Sequence, residues 1–310
     1  MAEIIQRDGT WAFDGSTVRI TPGLHRSVPL FRQTYGEIAV PLEAVAGVVH
    51  EPDRKRGRLR LRLREGADPL LRATGGRLPD AADPYRLAVD TDRSGVAEYV
   101  AEEIRHALLI EQVPEEPADA YLLPGPPVPV SVRSSDGTVS FDGTTVRIDW
   151  SDTSDRVKRA TGPRIIGVAD LVQVEWLPNS GYENGFLRFV THDSVFSKLP
   201  PEKDPFALDL WGSARRDLLT ALVATAVTAR LPHPSTGAGD PARGGPPALP
   251  QAPGDSVPRL RSSRTPPAQP PQDLHDVLLR RLRELGELHR DGVLTDEEFA
   301  TTKAAVLRDF

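Results

Sequence analysis

A thirteen-residue segment occurs twice in this chain, and that repetition limits the fold more than any other feature. Asp8-Gly9-Thr10-Trp11-Ala12-Phe13-Asp14-Gly15-Ser16-Thr17-Val18-Arg19-Ile20 returns as Asp136-Gly137-Thr138-Val139-Ser140-Phe141-Asp142-Gly143-Thr144-Thr145-Val146-Arg147-Ile148. The correspondence continues downstream. Ile38 to Pro52 lines up with Arg164 to Pro178, Gly57 to Leu61 with Gly185 to Phe189, and Asp83 to Leu87 with Asp204 to Leu208. A repeat this long is one fold used twice in tandem, which excludes a single-domain arrangement.

The pattern inside each copy is mostly period two. Trp11 and Phe13 alternate with small or polar residues, as do Val18 and Ile20, and Leu59, Leu61 and Leu63 alternate with arginines. This is the spacing of half-buried strands. Asp14-Gly15 and Asp142-Gly143 separate such runs, a two-residue hairpin signal in which both turn positions need φ > 0. Each copy closes on a helical pattern, Val96 to Ile110 and Arg215 to Arg230. Val96, Tyr99, Val100, Glu103, Ile104 and Leu108 set the first stripe; Leu218, Leu219, Leu222, Val223 and Val227 set the second. The expected fold class is therefore α+β: two antiparallel modules, each a bent sheet or small barrel with a C-terminal helix.

With 310 residues the chain holds two domains of ordinary size and a remainder. The net charge of −6 lacks the Lys/Arg surplus that counterion displacement from nucleic acid requires, so no nucleic-acid partner is expected. The absence of Cys excludes disulfides and thiolate-ligated metals. Met1 to Arg7 has no apolar core of a secretory signal. Leu218 to Ala229 is too short to span a bilayer. A cytoplasmic location is expected, peripheral to the membrane if the basic strand described below engages lipid.

Strands followed by a closing helix resemble the pleckstrin-homology-like (PH-like) fold, so PH-like repeats are expected over 1–113 and 131–232, joined by a Pro-rich connector at 114–130. From His233 to Gln272 the chain is Pro, Gly, Ala, Ser and Arg with few large apolar residues, which predicts a disordered linker. Beyond it, apolar residues return at helical spacing, Asp291-Gly292 forms a helix stop, and Thr295 with Glu298 forms a capping box. These features predict a helical hairpin over 273–310. Leu282, Leu285, Leu288, Asp291-Gly292, Leu294-Thr295, Glu297-Glu298-Phe299, Lys303 and Leu307 are similar to the short C-terminal (SHOCT) domain. Taken whole, the chain resembles a bacterial family with two tandem repeats of unknown function, domain-of-unknown-function family 4429, followed by this tail. The resemblance implies an interaction role and no catalytic residues.

One candidate site is a basic strand. Arg54, Lys55, Arg56, Arg58, Arg60, Arg62 and Arg64 place seven cations in eleven residues, with the last four on one face. Such a face attracts anionic lipid or another polyanion. It equally keeps a strand soluble and guards against edge pairing. Copy one as a whole is neutral, with 16 Lys/Arg against 16 Asp/Glu between Met1 and Ile110. The other candidate is the tail stripe of Leu278, Leu282, Leu285, Leu288, Leu294, Phe299, Val306 and Leu307. So short a segment cannot bury a self-sufficient core, so this stripe must pack on a second copy, on the chain's own domains or on a client.

Other constellations are weaker. Asp291 to Glu298 mimics the second half of an EF-hand, but Glu287 and His289 stand where the first ligands belong. The seven histidines form no ligand pair, and neither a phosphate loop nor a nucleophile elbow occurs. Trp150, Trp176, Trp211, Tyr182, Phe186 and Phe189 concentrate aromatics in copy two, as core or as a partner groove. The expectation is a non-enzymatic interaction or scaffold protein with an oligomerising or partner-capturing tail. The alternative is a peripheral membrane or polyanion binder acting through the basic strand. No cofactor or metal is expected.

Overall fold

The computed structural model describes residues 1–193 and 199–237. The predicted linker beyond these residues, the helical hairpin and every residue of the tail stripe lie outside them.

Repeat 1 begins with an antiparallel meander of β1 (Ala2–Gln6), β2 (Gly9–Phe13), β3 (Thr17–Pro22) and, after the short helix α1 (Leu30–Tyr35), β4 (Ile38–Pro41). A second meander follows: β5 (Val45–Glu51), β6 (Arg56–Leu63) and β7 (Arg86–Asp90), with α2 (Pro69–Thr74) between the last two. Helix α3 (Ser94–Ile110) then packs on strands of both sheets, against β1, β5, β6 and β7. Repeat 2 retraces this path. Its first sheet is β8 (Val130–Arg133), β9 (Gly137–Phe141), β10 (Thr145–Trp150) and β11 (Arg164–Gly167), with α4 (Arg156–Thr161) before the last strand. Its second is β12 (Leu171–Leu177), β13 (Gly185–Thr191) and β14 (Ala207–Leu210), followed by α5 (Ala214–Asp217) and α6 (Thr220–Thr228).

The period-two strands lie where the alternation puts them. Gly9, Trp11 and Phe13 are buried along β2, and Leu59 and Leu61 are buried along β6 between exposed arginines. The hairpin turns are correctly located but differently built. Only Gly15 and Gly143 adopt positive φ, and the preceding aspartate acts as an acceptor instead. Asp14 Oδ1 receives the Ser16 and Thr17 amides at 2.9 and 2.8 Å, and Asp142 Oδ1 receives those of Thr144 and Thr145. These bonds hold both carboxyls below the usual range.

The closing helices are not equivalent. In α3 the buried residues are Ala97, Val100, Ala101 and Ile104, while Tyr99 is half exposed and Glu103 is exposed. Val96 and Leu108 of the predicted stripe pack against the core beside Val100 and Ile104, so only Tyr99 and Glu103 fall off its buried side, where Ala97 and Ala101 stand instead. In α6 all nine residues are buried. One side covers β8, β9, β12 and β13 of its own repeat, and α2 of repeat 1 packs against it as well. Its threonines remain compatible with burial because Thr225 Oγ1 donates to Ala221 O and Thr220 Oγ1 to Asp217 O.

The connector is a strap laid on repeat 1. The Ala118 amide donates to Glu65 O and the Leu122 amide to Ala67 O, both at 2.8 Å, and Leu123 is buried. At Gly125 the strap passes α2 and α6 so closely that a Cβ would lie 3.2 Å from Ala229 and 3.5 Å from Pro69, at φ +72°. His233 to Thr236, expected to open the linker, also pack down. His233 Nε2 lies 3.0 Å from Gly66 O, and Ser235 Oγ donates to Asp119 O. The described residues accordingly all fall within one compact unit.

Candidate functional site

Strand β6 is central in its sheet, so its outer face is a continuous surface. Arg56, Arg58, Arg60 and Arg62 all lie on that face and are exposed. Their neighbours across the strands are mixed: Asp90 faces Arg56, Glu51 and Ala88 face Arg58, and Val49 and Arg86 face Arg60. Arg56 reaches Asp90 at 3.6 Å, and Arg58 lies 3.9 Å from Glu51 and 4.0 Å from Asp80. Exposed pairs at such distances hold little free energy and leave the guanidinium donors open to a ligand. Arg54 and Lys55 are exposed in the β5–β6 turn. Arg64 departs from the expected face. It donates through Nε and Nη2 to Glu116 O and through Nη1 to Glu43 O, clamping the connector strap.

A cation that the sequence reading missed sits beneath this face. Arg32, on α1, is 3% exposed and donates from Nη1 to Asp8 Oδ2 at 2.9 Å. Asp8 Oδ2 also receives the Ala88 amide of β7, so the pair ties the β1–β2 turn to the second sheet. Repeat 2 has the same device. Lys158 Nζ lies 2.5 Å from Asp136 Oδ2, both buried, and Asp136 receives the Asp209 amide. The two versions differ in completeness. Arg32 Nε and Nη2 are buried with no hydrogen-bond partner, whereas the single ammonium of Lys158 meets Asp136 and the Trp150 ring. The signal for Arg32 was present: a cation recurs at the same repeat position, as Lys158.

A second buried group is Asp68, the N-cap of α2. Its carboxylate receives the Leu70 and Leu71 amides and the Tyr85 hydroxyl at 2.8 Å. Burial outweighs these bonds and pushes its pKa up to about 6. Asp68 borders a cavity of about 550 Å³ shared with Arg64, Arg72, Gly75, Ala118 and His233. The aromatics of repeat 2 divide between core and surface. Trp176 and Phe189 are buried, with Trp176 Nε1 donating to Thr220, while Tyr182 is fully exposed and Trp211 half exposed.

With the repeat geometry in place, the comparison with protein families is decisive. The model of a domain of unknown function (DUF4429) matches residues 11–105 and again 139–228. The chain belongs to this family. The two DUF4429 matches coincide with the two structural repeats and stop short of the tail. No curated protein matches the chain. Among the described residues no helix is long and apolar enough to cross a membrane.

Proposed function

We propose that this DUF4429 protein is a non-enzymatic cytoplasmic interaction protein. Two PH-like modules act as one binding platform, and a SHOCT-like tail drives self-association or captures a client. The PH-like reading is supported by the order of elements, four strands, then three, then a closing helix, in both repeats. The observation that carries the platform reading is helix α6, whose nine residues are all buried and which packs against its own sheets and against α2 of the other repeat. Modules sharing a helix cannot swing independently, so their surfaces act as one composite. That composite offers different chemistry in its two repeats: arginines on β6 of repeat 1, and exposed Tyr182 and Trp211 in repeat 2.

Light scattering tests the reading. The full chain is expected to form an oligomer, and a chain ending at Gly244, the limit of the compact unit, a monomer. Equal stoichiometry for the two would remove self-association through the tail.

A further inference from the structure

The outer face of repeat 1 contains a recess of about 280 Å³ lined by Asp8, Arg32, Arg56, Arg58, Asp80 and Arg86, among others. We propose that this recess binds a phosphate monoester, presented either by a soluble metabolite or by a lipid headgroup. The inference rests on reading repeat 1 as a binding module and goes further by naming the site and the ligand chemistry.

Three observations support it. The first is Arg32. An arginine stays charged in a protein and offers five N–H donors in a fixed fork. At 3% exposure, Arg32 gives one bond to Asp8 and leaves Nε and Nη2 without partners. Buried donors are normally satisfied, and an exception beside an open recess points to an absent acceptor. The second is the density of donors. Four guanidinium groups line the recess, and the carboxylates that neighbour Arg56 and Arg58, Asp90 and Glu51, stand outside its lining. Arg86 is committed, donating to Asp83 at 2.9 Å and pairing with Asp80 at 2.6 Å. Arg56 and Arg58 hold carboxylates only at 3.6 Å and beyond, so they are free to turn onto a ligand. Phosphate oxygens match such forked donors bidentately. The third is the contrast between repeats. Where repeat 1 has Arg32, Arg58, Arg86 and Ala88, repeat 2 has Lys158, Phe186, Ala207 and Asp209. The scaffold pair is kept in both copies, but repeat 2 has no guanidinium group at the Arg32, Arg58 and Arg86 positions. The recess volume suits a phosphoryl group with a small substituent, since pockets for larger organic ligands start near about 300 Å³.

The test titrates the full chain calorimetrically with glycerol phosphate, and by co-sedimentation with phosphatidylcholine vesicles containing phosphatidic acid. Vesicles containing phosphatidylserine at equal surface charge serve as control. Saturable binding to at least one phosphomonoester probe is expected. Arg58→Gln should weaken it about tenfold, as loss of a charge-assisted pair implies. Arg62→Gln lies on the same strand face but does not line the recess, and should leave binding unchanged. Arg32→Met can unfold the repeat, so Arg32 is read in the native chain: its Nε–H resonance should shift on adding glycerol phosphate. Binding to glycerol phosphate alone assigns a soluble ligand, and binding to phosphatidic acid vesicles alone assigns a headgroup. The proposal is overturned if neither probe binds saturably, if Arg62→Gln weakens binding as much as Arg58→Gln, or if phosphatidylserine serves equally well. Tail-dependent assembly persisting beside a failed titration would sink this site and spare the platform reading.

Discussion

Replacing Lys158 by Met should be among the most damaging single changes in repeat 2. Lys158 is fully buried, its Nζ lies 2.5 Å from Asp136 Oδ2, and Asp136 is itself 3% exposed. Methionine fills the space of the lysine stem but removes the ammonium, leaving a buried carboxylate with the Asp209 amide as its remaining side-chain partner. Breaking a buried pair from one side costs about 3–5 kcal/mol, mostly because of the stranded charge. For a unit of this size 1 kcal/mol shifts the melting temperature by about 2–4 °C, so Lys158→Met should lower it by about 6–20 °C. The double variant Asp136→Asn plus Lys158→Met separates stranded charge from lost packing. Asparagine keeps an oxygen to accept the Asp209 amide but carries no charge, so more than half of the loss should return. Urea titration followed by circular dichroism measures both variants. A loss below about 1 kcal/mol for the single variant, or a double variant no more stable than the single, would refute the assignment of this pair as a scaffold element.

Three further outcomes follow from the same geometry. Asp68 binds its proton more tightly in the folded chain, at about 6, than at its ordinary 3.8. Its contribution to stability is therefore greatest below the lower value and is lost as pH rises through about 6, a difference of about 3 kcal/mol. Asp68→Asn escapes that penalty but gives up about 1 kcal/mol of hydrogen bonding, so it should be the more stable form at pH 7 and lose its advantage below about pH 4, as read by urea midpoints. Leu70→Ala, at a fully buried position of α2, should cost about 2–5 kcal/mol and loosen α6 in the other repeat, measured by denaturation and amide exchange. Arg64→Ala removes three donations to the Glu43 and Glu116 carbonyls and should expose the connector to limited proteolysis with little effect on either repeat's own sheets.

The strand register was legible because alternation has a fixed period and the repeat supplied every block twice. Leu59 and Leu61 inside with Arg58, Arg60 and Arg62 outside follow from that period alone. What stayed hidden depends on contacts between distant segments. Nothing local distinguishes Arg64 from Arg62, yet Arg64 binds carbonyls that its own strand does not supply. Helix α6, apolar apart from its threonines, was readable as a buried helix, but not as one covered by the other repeat, since α2 sits far upstream. Arg32 was overlooked because a lone arginine on a short helix ordinarily faces water. Its burial comes from Asp8, a residue whose repetition was noticed and whose partner was not.

The central claim is that two repeats form one platform, and hydrogen exchange of the full chain along a denaturant series tests it most directly. The amides of Trp11 and Leu59 in repeat 1, and of Phe189 and Val223 in repeat 2, lie at fully buried positions. A shared helix predicts that all four lose protection through one transition with coincident midpoints. Two separate transitions, one repeat opening while the other stays protected, would contradict the account.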